Sequence, residues 1–208
     1  MIHIVPLEKN KVKYLVAWNR GKDADFLIQW AGRGYRYPIT EEQITASPAA
    51  DYKIYGIKLD GNLIGTIELM EIDLIANRAK IGRFLLAPDK TGNGYGTKAL
   101  RLLAEGVFKE MPINRLELTV FDFNKAAVRC YEKAGFKKPE KLRVRTAGLR
   151  SLWKQSAMTR KNYLQSLDWG FFSRALNGLT LLTTTLQVPS RRVIVPFTIR
   201  KGDLNLSS

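Results

Sequence analysis

Residues 83–96, RFLLAPDKTGNGYG, constrain this chain more than any other stretch. The apolar run 84–87 ends at Pro88, a polar turn follows, and Gly92, Gly94 and Gly96 stand at alternate positions. Behind them Leu100, Leu103, Ala104, Val107 and Phe108 recur at i, i+3, i+4, i+7 and i+8, one apolar face of a helix. The pattern predicts strand, glycine loop, helix start. Glycine admits positive φ and lets a backbone approach a ligand closely. The first N–H groups of a helix have no internal partner and lie at the positive end of its dipole. Together these features make a site for a phosphate or pyrophosphate. A plain flexible turn accounts equally well for the glycines alone.

The surrounding segments supply a sheet. Residues 2–5 predict a first strand, and 12–50 read as helices and loops with aromatics at Tyr14, Trp18, Phe26, Trp30, Tyr35 and Tyr37. Thr40 before Glu41 and Glu42 suits a helix start. Residues 52–59 predict a strand, Asp60-Gly61-Asn62 a hairpin turn, and 63–70 the returning strand. A further strand over 80–87 leads into the glycine loop. Residues 115–121 alternate Leu116, Leu118 and Val120 against Glu117 and Thr119, a strand with one buried face. Asp122 and Asn124 are good helix caps. Ala127, Cys130, Tyr131 and Ala134 then share a helix face that Gly135 is placed to end, and Phe136 is expected back in the sheet. The expected class is α/β, a mixed central sheet with helices on both faces.

Composition narrows the functions. One cysteine among 208 residues excludes an internal disulfide framework, and one histidine with it makes no metal-ligand cluster. The start MIHIVPLEKNK has no apolar signal-peptide core, and no uncharged run reaches about 18 residues, so a cytoplasmic protein that does not enter membranes is expected. Gly96-Thr97-Lys98 reverses the order of a P-loop, and the glycine spacing is not that of a dinucleotide fingerprint. The net charge of +15 is uneven: residues 141–208 hold 12 Lys or Arg against Asp168 and Asp203. Such basicity suits a polyanionic partner or a solvated surface.

The runs IGRFLLAPDKTGNGYGTKAL and LELTVFDFNKAAVRCYEKAGF resemble the Gcn5-related N-acetyltransferase superfamily. The first is similar to that family's pyrophosphate loop, Arg/Gln-x-x-Gly-x-Gly/Ala, and the second to its Asn124…Ala127…Tyr131 signature. The resemblance is firm over 52–140. It implies a GNAT-like sheet and acetyl transfer from acetyl-CoA, as cosubstrate, to a primary amine of a small molecule or a protein N-terminus. It implies that main-chain groups of Phe84, Leu85 and Leu86 hold pantetheine as an added strand would. Backbone groups of Thr91, Gly92, Asn93, Gly94, Tyr95, Gly96 and Thr97 would cradle the pyrophosphate. Asn124, with Ala127, would contact the cofactor at the cleft, and Tyr131 would protonate the leaving thiolate. Thr91 departs from the family's Arg or Gln, which removes a side-chain donor but leaves the backbone cradle.

The acceptor amine arrives protonated and needs a base. Glu68 leads over Glu71 and Asp73, three acids that would also attract a cation, although a solvated strand edge explains them as well. Trp18, Trp30, Tyr35 and Tyr37 either wall the acceptor site or pack the helices. The resemblance places a GNAT acetyltransferase domain over 1–163. Residues 164–208 are expected as a basic C-terminal extension of unknown role: added strands, an edge cover, or a nucleic-acid contact through Arg191, Arg192, Arg200 and Lys201. The alternative to an enzyme is a non-catalytic acyl-CoA-binding or nucleic-acid-binding module that works through this tail. A homodimer stays open.

Overall fold

The computed structural model of the protein describes residues 1–32, 34–46, 51–139 and 194–204. These build one six-stranded sheet in the order β1-β2-β3-β4-β5-β6. The strands are β1 Ile2–Pro6, β2 Lys53–Leu59, β3 Asn62–Asp73, β4 Arg78–Leu86, β5 Arg115–Phe121 and β6 Ile194–Arg200. Neighbours run antiparallel except β4 and β5, which are parallel. A parallel pair needs a crossover, and α4, Tyr95–Glu110, supplies it. Helices α1 Val12–Asn19, α2 Ala24–Ala31 and α3 Glu41–Thr45 lie between β1 and β2 in sequence, and α5 Lys125–Lys133 follows β5.

Local chemistry explains most of these elements. Asp60 and Gly61 both take positive φ, 48° and 82°, between the paired residues Leu59 and Asn62. This is the two-residue turn whose twist matches antiparallel strands. Helix α4 buries Ala99, Leu100, Leu103, Ala104, Val107 and Phe108, the face its spacing predicts. Asp23 and Thr40 cap α2 and α3 by accepting from the Phe26 and Gln43 amides.

Strand pleating sends alternate side chains to opposite faces. Ile67 and Leu69 of β3 enter one core with α4, α5 and β5, through Leu100, Phe108, Val128 and Leu116. Glu68, between them, faces the other side. There α1–α3 form a second core around Leu15, Leu27, Tyr35 and Ile44. The mixed sheet thus carries helices on both faces, as expected.

Part of the tail joins the sheet. Residues 194–200 form β6 along the full length of β5, from Arg115 opposite Arg200 to Phe121 opposite Ile194. Val195, Phe197 and Ile199 alternate inward and are buried. Lys137 exchanges backbone hydrogen bonds of 2.8 and 2.9 Å with Thr198, so the chain returns to the sheet just after Phe136. The option that the tail adds strands is the one these residues take. Truncation after Tyr163 would remove this strand. The boundary at 163–164 and Arg191 and Arg192 lie outside the described residues.

Candidate active site

The parallel strands β4 and β5 are in register only over Arg78–Lys80 and Arg115–Glu117. Both continue beyond that point, so an opening begins where the pairing ends. On its other edge, β4 shifts register against β3 between Glu68–Gly82 and Thr66–Leu85. Arg83 and Phe84 together oppose Ile67, a bulge that bends the strand. Arg83 sits there at φ 42°, left-handed space that residues with a Cβ seldom enter.

Phe84 in the bulge and Leu85 and Leu86 after it are half-buried. The chain then turns through Pro88–Lys90 into the glycine loop. Gly92 and Gly94 take φ of 80° and 77°, and Gly94 is the N-cap of α4. Thr91 spends its hydroxyl on the Pro88 carbonyl at 3.0 Å, and the Asn93 amide nitrogen donates to the Thr91 carbonyl at 3.0 Å. The side chains therefore brace the loop, while the first-turn amides of Tyr95, Gly96 and Thr97 have no acceptor within the helix. No acid stands in that turn. An anion is the ligand such an end favours.

Gly96 is also where three elements meet. A Cβ there would lie 3.2 Å from both Cys130 Sγ of α5 and Phe84 Cζ of β4. The glycine thus closes the loop's base against the end of β4 and the flank of α5. Asn124 sits at the start of α5, and its Oδ1 accepts from the Ala127 amide at 3.1 Å. That oxygen is committed to capping the helix. Tyr131, one residue beyond Cys130, packs edge-on to Phe197, with ring centroids 5.9 Å apart, and near Phe136 at 6.4 Å. Burial, with a smaller push from Cys130, holds its hydroxyl above the ordinary phenol range, so it stays protonated.

The acidic patch expected on β3 is not free to attract a cation. Glu71 pairs with Lys80 at 2.5 Å, and Asp73 with Arg78 at 3.7 Å while also accepting from the Ile75 and Ala76 amides. Glu68 is 0% exposed. Its Oε2 accepts from Arg83 Nη1 at 2.8 Å and its Oε1 from the Tyr35 hydroxyl at 3.1 Å. The Tyr52 hydroxyl accepts from the same Arg83 nitrogen at 2.7 Å. Burial pushes the Glu68 carboxyl up, and Arg83 with the two tyrosines pulls it back. Burial pushes Tyr35 up to about 12 and Tyr52 higher still, so both remain hydroxyls.

Of the expected residues, the structure gathers the loop glycines, Phe84 and the α5 face into one place, and sets Glu68 in a polar cluster on the α1–α3 side. Trp18 and Trp30 pack against the second core, Tyr35 is buried within it, and Tyr37 is exposed. Arg83 and Tyr52 are additions. The one sequence sign was Arg83 standing immediately before the apolar run 84–87.

The model of the family described as "Acetyltransferase (GNAT) family" matches residues 16–136. A probable N-acetyltransferase of Bacillus subtilis (strain 168) is 40% identical over 110 residues, 50% of this chain and 59% of that protein. A spermidine N(1)-acetyltransferase of Thermoplasma acidophilum is 32% identical over 114 residues, 54% of this chain and 68% of that protein. The chain thus spans 59% of the length of the first relative and 68% of the second. The crystal structure of an aminoglycoside acetyltransferase in complex with coenzyme A superposes with a TM-score of 0.56 and 24% identity, covering 67% of this chain and 86% of that one. The match runs from within α1 through β2–β5, the glycine loop and α5, and the chain belongs to the GNAT family of acetyltransferases.

Proposed function

We propose that the protein transfers the acetyl group of acetyl-CoA to a primary amine of a small molecule. The observation that carries this reading is the glycine loop: a left-handed Gly94 opens α4 beside the parting β4 and β5, with free amides and no acid in the first turn. Membership in an acetyltransferase family supports it. So do relatives named for spermidine and aminoglycosides, both polyamines.

In this reading Tyr95, Gly96 and Thr97 bind the pyrophosphate through their amides, with Gly92 and Gly94 letting the backbone curl around it. Thr91 and Asn93 brace the loop rather than touch the ligand. Main-chain groups of Phe84, Leu85 and Leu86 extend the pantetheine along β4. The amine nitrogen forms a bond to the thioester carbonyl carbon, the carbon–sulfur bond breaks, and the Tyr131 hydroxyl donates to the departing sulfur. Of the two protons the ammonium nitrogen gives up, one leaves to solvent before attack and the other, released as the amide forms, restores the Tyr131 hydroxyl. Asn124 acts by starting α5 at the point that presents Cys130 and Tyr131. Residues 194–204 belong with the domain.

The test is thiol release from acetyl-CoA by the full chain with spermidine, an aminoglycoside and a short peptide with a free N-terminal amine. We expect amine-dependent turnover with a polyamine. Turnover with the peptide alone would move the acceptor class to protein N-termini. No turnover with any amine, in a sample that binds acetyl-CoA, contradicts the reading.

A further inference from the structure

We propose that Arg83 and Glu68 form a pin that fixes the β4 bulge, and that Glu68 serves acetyl transfer as a positioning residue and not as the base. The inference rests on the acetyl-transfer reading above.

Arg83 holds a backbone conformation that costs a residue with a side chain, and such conformations persist only where the surroundings over-determine them. Here they do. The guanidinium is tied to β3 by Glu68, to the segment entering β2 by Tyr52, and to the end of α2 by a 3.4 Å bond from Nε to the Ala31 carbonyl. Its carbon lies 4.5 Å from the Tyr35 ring centroid and 5.6 Å from that of Tyr52, close enough for cation–π attraction. Gly34 leaves the room: a Cβ there would fall 1.7 Å from Arg83 Nη2.

Glu68 has little left for a substrate proton. It is fully buried, each oxygen already accepts a bond, and a cation neutralises it. Its carboxylate instead fixes a planar, forked donor in one orientation. That orientation locks the residue from which Phe84, Leu85 and Leu86 set out. Releasing it lets β4 relax toward an ordinary strand and misplaces the main-chain groups assigned to pantetheine. The glycine loop, braced by its own hydrogen bonds, keeps its shape.

The two halves of the cofactor therefore separate the outcomes. Calorimetry on the full chain uses acetyl-CoA and, as a probe of the loop alone, adenosine diphosphate. The wild type is expected to bind both. Glu68→Gln removes the charge at constant shape, Arg83→Lys keeps the charge but loses the fork, and Gly34→Ala displaces the guanidinium with no change of charge. Each is expected to weaken acetyl-CoA by about tenfold or more while adenosine diphosphate stays within about twofold. Turnover should fall with the same ranking, and the kcat–pH profile of Glu68→Gln should keep its shape. A folded variant that binds acetyl-CoA like wild type, or that loses both ligands together, overturns the pin. A variant that loses only turnover and the acid limb of its pH profile restores Glu68 as the base. If Glu68→Gln does not fold, Gly34→Ala decides. Wild-type protein that binds neither ligand fails the acetyl-transfer reading instead.

Discussion

Tyr131 is a hydroxyl held protonated in an aromatic setting. A group whose value is raised by burial stays in its acid form throughout neutral and moderately alkaline solution. Tyr131→Phe should therefore lower kcat by about tenfold or more. It should leave the alkaline limb unchanged up to about pH 10, where an ordinary phenol would titrate. A wild-type limb near pH 8 that vanishes in the variant would show that the tyrosine ionises early and acts as a base. Thr91 raises the opposite question, since the family's usual charged or amide donor is missing there. Its hydroxyl turns inward to Pro88, so the loop's shape does not depend on the absent group. At this scale the sequence was legible wherever chemistry is local: the glycines, the caps at Thr40 and Asn124, and the turn at Asp60. The Arg83–Glu68 contact was not, because it needs a bulge and two non-neighbouring segments to meet. Read in sequence alone, Glu68 was the leading candidate base or an acid on a solvated strand edge.

Elements show the same division. Helix α4, helix α5 and strand β5 announce themselves by period, because one face of each is buried by a single neighbouring layer. Strand β6 does not. It carries Pro196, which cannot donate to a ladder and argues against an interior strand. It also pairs with β5 across some 75 residues of sequence, and no local pattern encodes that partner. Its packing is nonetheless central: Phe197 and Ile199 are fully buried, and Phe197 supports the Tyr131 ring. Phe197→Ala should cost about 3–5 kcal/mol of stability, read by denaturant unfolding. Truncation after Tyr163 should give protein without a cooperative transition, because β5 loses its neighbour and the first core loses three buried side chains. A truncated chain that unfolds cooperatively with wild-type turnover would refute the role given to β6.

At the scale of the whole molecule, the sheet divides the labour. One face carries α4 and α5; the start of α4 meets the flank of α5 and the end of β4 at Gly96. The other carries α1–α3, joined to β4 through the Arg83 cluster. The opening between β4 and β5 begins where their pairing ends, after Lys80 and Glu117. The surplus of positive charge is concentrated after residue 140 in sequence. Glu68, Glu71 and Asp73 of β3 each pair with a cation within the fold. Among the described residues no helix is long and apolar enough to cross a membrane, and no group of three His, Cys, Asp or Glu could hold a metal ion.

The account rests on the glycine loop as the cofactor's seat, and titration calorimetry of the full chain with acetyl-CoA tests it most directly. Wild-type protein should bind one equivalent. Gly94→Glu should abolish binding, since it sets a carboxylate where the pyrophosphate would lie and a side chain at φ 77°. Equal binding by a folded Gly94→Glu protein, or none by the wild type at millimolar ligand, would contradict it.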